Sequence, residues 1–282
     1  MMKTIIATTD YSSDAYYAVH YAARLAACFN AQLLLFNAFQ LSVHAANTLL
    51  SPSTVDKMMH NNETRLAKLG RELSETYHIE VKYTTYTSLV EEEIEILVKQ
   101  YDADLVVIGM QNELAENKIL GNTTTSVIRR ANYPVLVVPF GAEFNTIKKI
   151  LFARDEKALH EGDKHMKLLK EMADLLKAEV EVFHVEKMPV EHSDKRRKEV
   201  QKDELEQILA RAPHTYKMAN ADNIAESIVE EMKSYKPDLL VMVPHVGSFL
   251  DHLLKRSMTR KMVMETKVPL LALPDMNTTV MI

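Results

Sequence analysis

Glycine is scarce in this chain, with 6 in 282 residues against a usual share of ~7%. Any loop that wraps a phosphate must therefore do so with few glycines. No G-x-x-x-x-G-K-[ST], no G-x-G-x-x-G after a strand and no G-x-S-x-G elbow occurs. Those absences argue against a P-loop NTPase, a dinucleotide dehydrogenase and an α/β-hydrolase. Tryptophan is absent and cysteine occurs once, at Cys28, which excludes an intramolecular disulfide and a cysteine-based zinc cluster. Cys28 lies in an apolar helical stretch, where a buried, inert thiol is expected. Net charge is -5; without a basic field, nucleic acid is not an expected partner. The opening MMKTIIATTD is too short an apolar run for a signal peptide or a membrane span. A soluble cytoplasmic protein is expected.

What the chain does have is a repeat. Lys3–Asp10 (KTIIATTD) matches Lys148–Asp155 (KKILFARD). Ala31–Asn37 resembles Ala178–His184, Asp104–Ile108 matches Asp238–Met242, and Tyr133–Pro139 matches Val268–Pro274. The pairs keep their order over a period of roughly 140 residues, too long for a solenoid unit. Two tandem domains are expected, residues 1–142 and 143–282. The first 140 residues hold 11 Lys+Arg against 15 Asp+Glu, the remainder 23 against 24, so the strand pattern is shared while the surfaces differ.

Short apolar runs alternate with longer periodic segments. In the first half the runs are Thr4–Thr9, Gln32–Asn37, Val81–Tyr86, Leu105–Ile108 and Val135–Val138, mostly apolar throughout, as in parallel strands covered on both faces. Helices are predicted between them. The first has Ser12 or Ser13 as its cap and Ala15, Ala18, Ala22, Leu25, Ala26 and Phe29 as its apolar face. The others cover about Thr54–Tyr77, Glu91–Tyr101, whose acidic start suits the helix dipole, and Thr123–Ala131. The second half repeats the order; its charged segment Asp194–Ala210 reads as a solvated helix laced with i,i+4 pairs. The fold class is α/β, Rossmann-like: two tandem five-stranded parallel sheets with helices on both faces. The final strands are expected at sheet edges, where apolar strands need a partner.

Ligands of open parallel sheets sit beyond the carboxyl ends of the strands. Asp10, Asn37-Ala38 and Gly109 fall there in the first half. After Gly109, an irregular stretch leads to Gly121-Asn122-Thr123-Thr124-Thr125 and a helix start, where unpaired N–H groups and the dipole favour an anion. The plainer alternative is that Asn122 or Thr123 only caps the helix.

Taken together, the strand-Asp-x-Ser-x-x-Ala opening (Asp10, Ser12, Ala15), the long loop from Gly109 to Gly121 and the closing strand Pro134–Pro139 resemble the universal stress protein family in its tandem form. ATP-binding members of that family carry G-x2-G-x9-G-[S/T] in this loop. The resemblance implies that Asp10 and the backbone at Ala38 hold adenosine, and that Gly109, Asn112, Gly121, Asn122 and Thr123 surround the phosphates. The pattern departs in three ways: Asn112 replaces the second glycine, Asn122 replaces serine, and the interval is one residue shorter. The second half departs further. Lys157 replaces the serine, and Val243, Val246 and Arg256 occupy the glycine positions, so ATP is expected in the first half only.

The resemblance also implies an internal pseudo-dimer joined through the final strands, with a homodimer of the chain as a further assembly. Histidines at 160, 165, 245 and 252 lack a convincing zinc spacing, and no metal is expected. Thr8-Thr9-Asp10 lacks the acidic cluster of a phosphoacceptor site. The expected role is that of a stress protein, not an enzyme, that binds a nucleotide without rapid turnover. The alternatives are a ligand-poor member acting through protein partners, and a hydrolase or transferase that uses adenine nucleotides. The last would want S-G-G-x-D-S after the first strand, where this chain has Thr8-Thr9-Asp10-Tyr11-Ser12-Ser13.

Overall fold

The computed structural model describes residues 1–39, 52–87, 89–110, 122–154, 164–186, 205–243 and 267–274. Asn112, Gly121, Asp155, Lys157, Val246, Arg256, His160, His245, His252 and most of the charged segment 194–210 lie outside them. The first half runs β1 (Thr4–Thr8), α1 (Ser13–Phe29), β2 (Gln32–Ala38), α2 (Pro52–Tyr77), β3 (Val81–Tyr86), α3 (Val90–Tyr101), β4 (Leu105–Gly109), α4 (Asn122–Arg130) and β5 (Val135–Val138). The second half contains β6 (Lys149–Arg154), α5 (Lys164–Leu176), β7 (Glu179–Glu186), β8 (His214–Asn220), α6 (Ile224–Tyr235), β9 (Leu239–Met242) and β10 (Leu270–Ala272).

Among the described residues each half contributes five strands, and within each half every pairing is parallel. The two sets form one ten-stranded sheet in the order β3-β2-β1-β4-β5-β10-β9-β6-β7-β8. They join where β5 meets β10 antiparallel, with Leu136 opposite Leu271 and Val137 opposite Leu270. Leu136 and Leu271 are equivalent positions of the repeat, so a pseudo-twofold axis passes between them. Both apolar edges expected to need a partner are thereby paired. One face of the sheet carries α1, α2 and α5, with Leu25, Leu66 and Leu169 in its core. The other carries α3, α4 and α6, with Ile94, Val127 and Met232. Residues of both halves share each core.

The repeat has a physical task at the amino ends of the strands. Asp104 Oδ2 accepts from the backbone N–H groups of Lys3 and Thr4 at 2.6 and 3.1 Å. In the second half, Asp238 Oδ2 accepts from Lys148 and Lys149 at 2.8 and 2.9 Å. A carboxylate receiving two N–H groups makes a stronger bond than a neutral acceptor would, and each pair ties the start of the central strand to its neighbour.

Scarce glycine shows at the helix ends. Asn30, His78, Asp102, Lys177 and Lys236 each follow a helix with φ between 47° and 53°, the left-handed conformation that glycine usually supplies. At Asn30 the backbone N–H reaches back to the carbonyls of Ala26 and Ala27. The capping hydrogen bonds stay, and the steric cost of a Cβ at positive φ is carried by the fold.

One expectation is corrected. Cys28 is exposed, because it falls on the side of α1 that also holds exposed Arg24 and Ala27, while Ala22, Leu25, Ala26 and Phe29 face the sheet. A thiol reagent such as Ellman's should therefore react with the folded protein without denaturant, and Cys28→Ser should leave stability within about 0.5 kcal/mol. A thiol that reacts only after unfolding contradicts this orientation.

The second half also buries a carboxyl pair. Glu181 on β7 and Glu231 on α6 are both buried, and Lys217 on β8 binds Glu231 at 2.5 Å. Burial first, and the neighbouring Glu231 charge second, push the Glu181 carboxyl above its ordinary range, with Lys217 opposing. The folded protein therefore holds this proton more tightly than the unfolded chain does. The stability it contributes is present below the unfolded value of ~4.3 and is lost as pH rises through the folded value. Glu181→Gln should raise the unfolding midpoint at pH 7 and leave it nearly unchanged at pH 4, as calorimetry at the two pH values will show.

Candidate functional site

The carboxyl ends of β1, β2 and β4 enclose a cavity of about 510 Å³, lined among others by Asp10, Asn37, Ala38, Gly109, Thr123 and Thr124. Its size lies within the range of small-molecule sites. The fold assembles it in steps. β1 keeps its ladder to Thr9, whose N–H donates to the Phe36 carbonyl at 2.9 Å. The chain then leaves the sheet at Asp10, which is exposed, and turns at Tyr11 with φ 62°. Asp10 Oδ1 accepts from the Ser12 N–H at 2.9 Å, which tightens this corner. Ser12 caps α1, its Oγ accepting from the Ala15 N–H at 3.2 Å, so the first turn of α1 opens at the cavity. α4 starts at Asn122 and brings Thr123 and Thr124 to the same place. Two helix N-termini thus meet one cavity, and their dipoles favour negative charge there.

Gly109 is required by packing. A Cβ built on it would lie 3.0 Å from the Asp14 carbonyl oxygen and 3.2 Å from the Ala15 nitrogen. The end of β4 and the start of α1 approach this closely only because the side chain is missing. Thr124, fully buried, donates its hydroxyl to the Gly109 carbonyl at 3.3 Å and ties α4 to the same point.

Of the sequence-predicted residues, the structure brings Asp10, Ala38, Gly109 and Thr123 to one cavity. Asn122 opens α4, while Asn112 and Gly121 lie outside the described residues. Sequence reasoning missed the polar floor. Tyr11 donates its hydroxyl to Asn62 Oδ1 at 2.9 Å. Asn62 Nδ2 donates to Asn37 Oδ1 and to Thr85 Oγ1, both at 2.9 Å, and Asn37 Nδ2 donates to the Thr9 carbonyl at 2.6 Å. Asn62, Asn37 and Thr9 are buried, so the network saturates groups that would otherwise be costly to bury. It links the ends of three strands to α2. Burial raises the Tyr11 phenol above its ordinary value, and the Arg65 charge partly offsets this. One sequence signal was available: Asn62 is a polar residue on the same stripe of α2 as Leu66, Leu69 and Leu73.

Gly109→Ala should destabilise the protein by about 1–3 kcal/mol, the usual cost of an added carbon in a tightly packed place, seen as a lower thermal midpoint. An unchanged midpoint would show that α1 shifts freely.

The sequence model of the Universal stress protein family matches residues 1–139 and again 146–274. Universal stress protein G of Shigella flexneri is 47% identical over 49 residues, 17% of this chain and 34% of that protein. Universal stress protein G of Salmonella typhimurium is 33% identical over 86 residues, 29% of this chain and 58% of that protein. The matched segments thus span about a third to just over half of the length of these curated relatives. A solved universal stress protein from Archaeoglobus fulgidus superposes with a TM-score of 0.68 at 14% identity, covering 96% of this chain and 98% of that one. A putative universal stress protein from Pseudomonas aeruginosa gives 0.60 at 16%, covering 97% and 93%. Among the described residues, no helix is long and apolar enough to cross a membrane, and no group of three or more His, Cys, Asp or Glu side chains is placed to hold a metal ion. Matched over nearly its whole length by two successive copies of one family model, the chain belongs to the universal stress protein family.

Proposed function

We propose that the chain binds an adenine nucleotide, ATP, in the cavity of its first half and holds it without rapid turnover. The observation that carries this reading is the convergence of Asp10, Ala38, Gly109 and Thr123 on one cavity that two helix N-termini face. Asp10 offers a carboxylate to the amino group of the base, and the backbone at Ala38 offers a carbonyl and an N–H to its edge. The phosphates lie toward α4, where N–H groups and the Thr123 hydroxyl are donors.

The second half does not share this role. Register places Arg154, His184 and Met218 where the first half has Thr9, Asn37 and Thr85. The side chains that build the first-half floor, Asn37 and Thr85, are thus replaced by residues of different chemistry. In sequence, Val243, Val246 and Arg256 replace the glycines of the family's phosphate-loop pattern, which needs bare backbone.

Isothermal calorimetry of the full chain with ATP tests the reading. Saturable binding is expected in the natural protein. Asp10→Ala should weaken it by roughly tenfold or more, since a hydrogen bond to a charged group is lost. Gly121→Val should weaken it comparably by placing a branched side chain against the phosphates. Equal affinity in all three proteins argues against this site. No binding by the natural protein favours a role through protein partners.

A further inference from the structure

Arg65 lines the cavity from α2, and its guanidinium carbon lies 3.9 Å from the centroid of the Tyr11 ring. The sheet order β3-β2-β1-β4 sets α2 and the end of β2 on one side of the cavity and the start of α4 on the other. A nucleotide with its phosphates at α4 therefore has its base beside Arg65, Tyr11 and Asp10.

The support for Arg65 is built rather than incidental. Tyr11 is an aromatic residue in the left-handed region, with φ 62°, a conformation that persists only where the surroundings enforce it. Here its N–H donates to Thr9 Oγ1 at 3.0 Å and its hydroxyl to Asn62 at 2.9 Å. Asn62 is itself fixed by Asn37 and Thr85. A second hollow of about 250 Å³ lies beyond and shares Thr9, Tyr11, Ser12 and Arg65 with the first. Tyr11 and Arg65 therefore border both spaces. Arg65 is exposed, and among the described residues it makes no salt bridge. A guanidinium stacks on aromatic planes with its faces and donates hydrogen bonds from its edge. Arg65 sits over the Tyr11 ring and also lines the cavity, so its plane and its edge N–H groups are within reach of an occupant.

We infer that Arg65, held by Tyr11, is the stacking platform for the purine base and so sets the preference of this site for purine nucleosides. The inference rests on the nucleotide reading above and adds to it a base-side residue that acts through its plane rather than its charge.

Calorimetry of the full chain with adenosine, ATP and cytidine, on the natural protein, Arg65→Lys and Arg65→Ala, separates the two roles. Arg65→Lys keeps the charge and removes the plane. The expected result is that both variants bind adenosine and ATP more weakly by similar factors, roughly 5- to 100-fold, the range for losing one stacking partner of a base. The natural protein should prefer adenosine to cytidine, and both variants should lose that preference. Because Arg65 is exposed, their thermal midpoints should match the natural protein. The inference is overturned if Arg65→Lys binds ATP as well as the natural protein and Arg65→Ala weakens ATP but not adenosine, which would make Arg65 a phosphate cation. It is also overturned, alone, if Asp10→Ala weakens binding while both Arg65 variants bind normally. A natural protein that binds neither adenosine nor ATP overturns it together with the nucleotide reading.

Discussion

The antiparallel pairing of β5 with β10 is the constraint on which the rest of the structure depends. Each half ends in a strand whose described residues are buried. Left open, such a strand presents unpaired backbone groups and apolar side chains to any passing edge. Joined to each other, the two strands close both edges at once and merge two five-stranded sheets into one. The two cores then extend across the junction, one per face. The linker is drawn in as well. Ala142, Phe144 and Ile147 are buried, the Phe144 ring meets Tyr21 of α1 edge-on at 5.0 Å, and Arg24 donates to the Phe144 carbonyl at 2.8 Å.

This pairing also decides where ligands can sit. Because β5 and β10 run antiparallel, the carboxyl ends of the strands in the two halves point in opposite directions. The first-half cavity and the corresponding end of the second half lie at opposite ends of the sheet, so one small ligand cannot bridge them. Each half was thus open to its own chemistry. The first keeps Thr9, Asn37 and Thr85 at its strand ends, and the second carries Arg154, His184 and Met218 there. It also places Lys217 and two buried carboxyl groups between β7, β8 and α6.

Much of this was legible in the sequence, for physical reasons. Strands covered on both faces must be apolar throughout, and β1, β2, β4 and β5 read that way. The repeated Asp104 and Asp238 proved to tie down equivalent strand starts. Asp10, Ala38, Gly109 and Thr123 could be placed because parallel topology puts strand ends and helix starts together. Other features were not legible. Single hydrogen bonds in the network of Tyr11, Asn37, Asn62 and Thr85 reach across as many as 51 positions, and no local pattern announces it. Cys28 was misplaced because an alanine-rich helix leaves its apolar stripe broad and the side of one small residue ambiguous. Left-handed helix ends at His78, Lys177 and Lys236 contradict ordinary residue preferences, so residue type alone does not announce them.

The proposed function gives each chain one nucleotide site, in the first half. Native mass spectrometry of the 32.2 kDa chain with excess ATP measures this directly. A single bound nucleotide per chain is expected, with lower occupancy in Asp10→Ala at the same ATP concentration. Two bound nucleotides would contradict the asymmetry of the halves, and none would contradict the site itself.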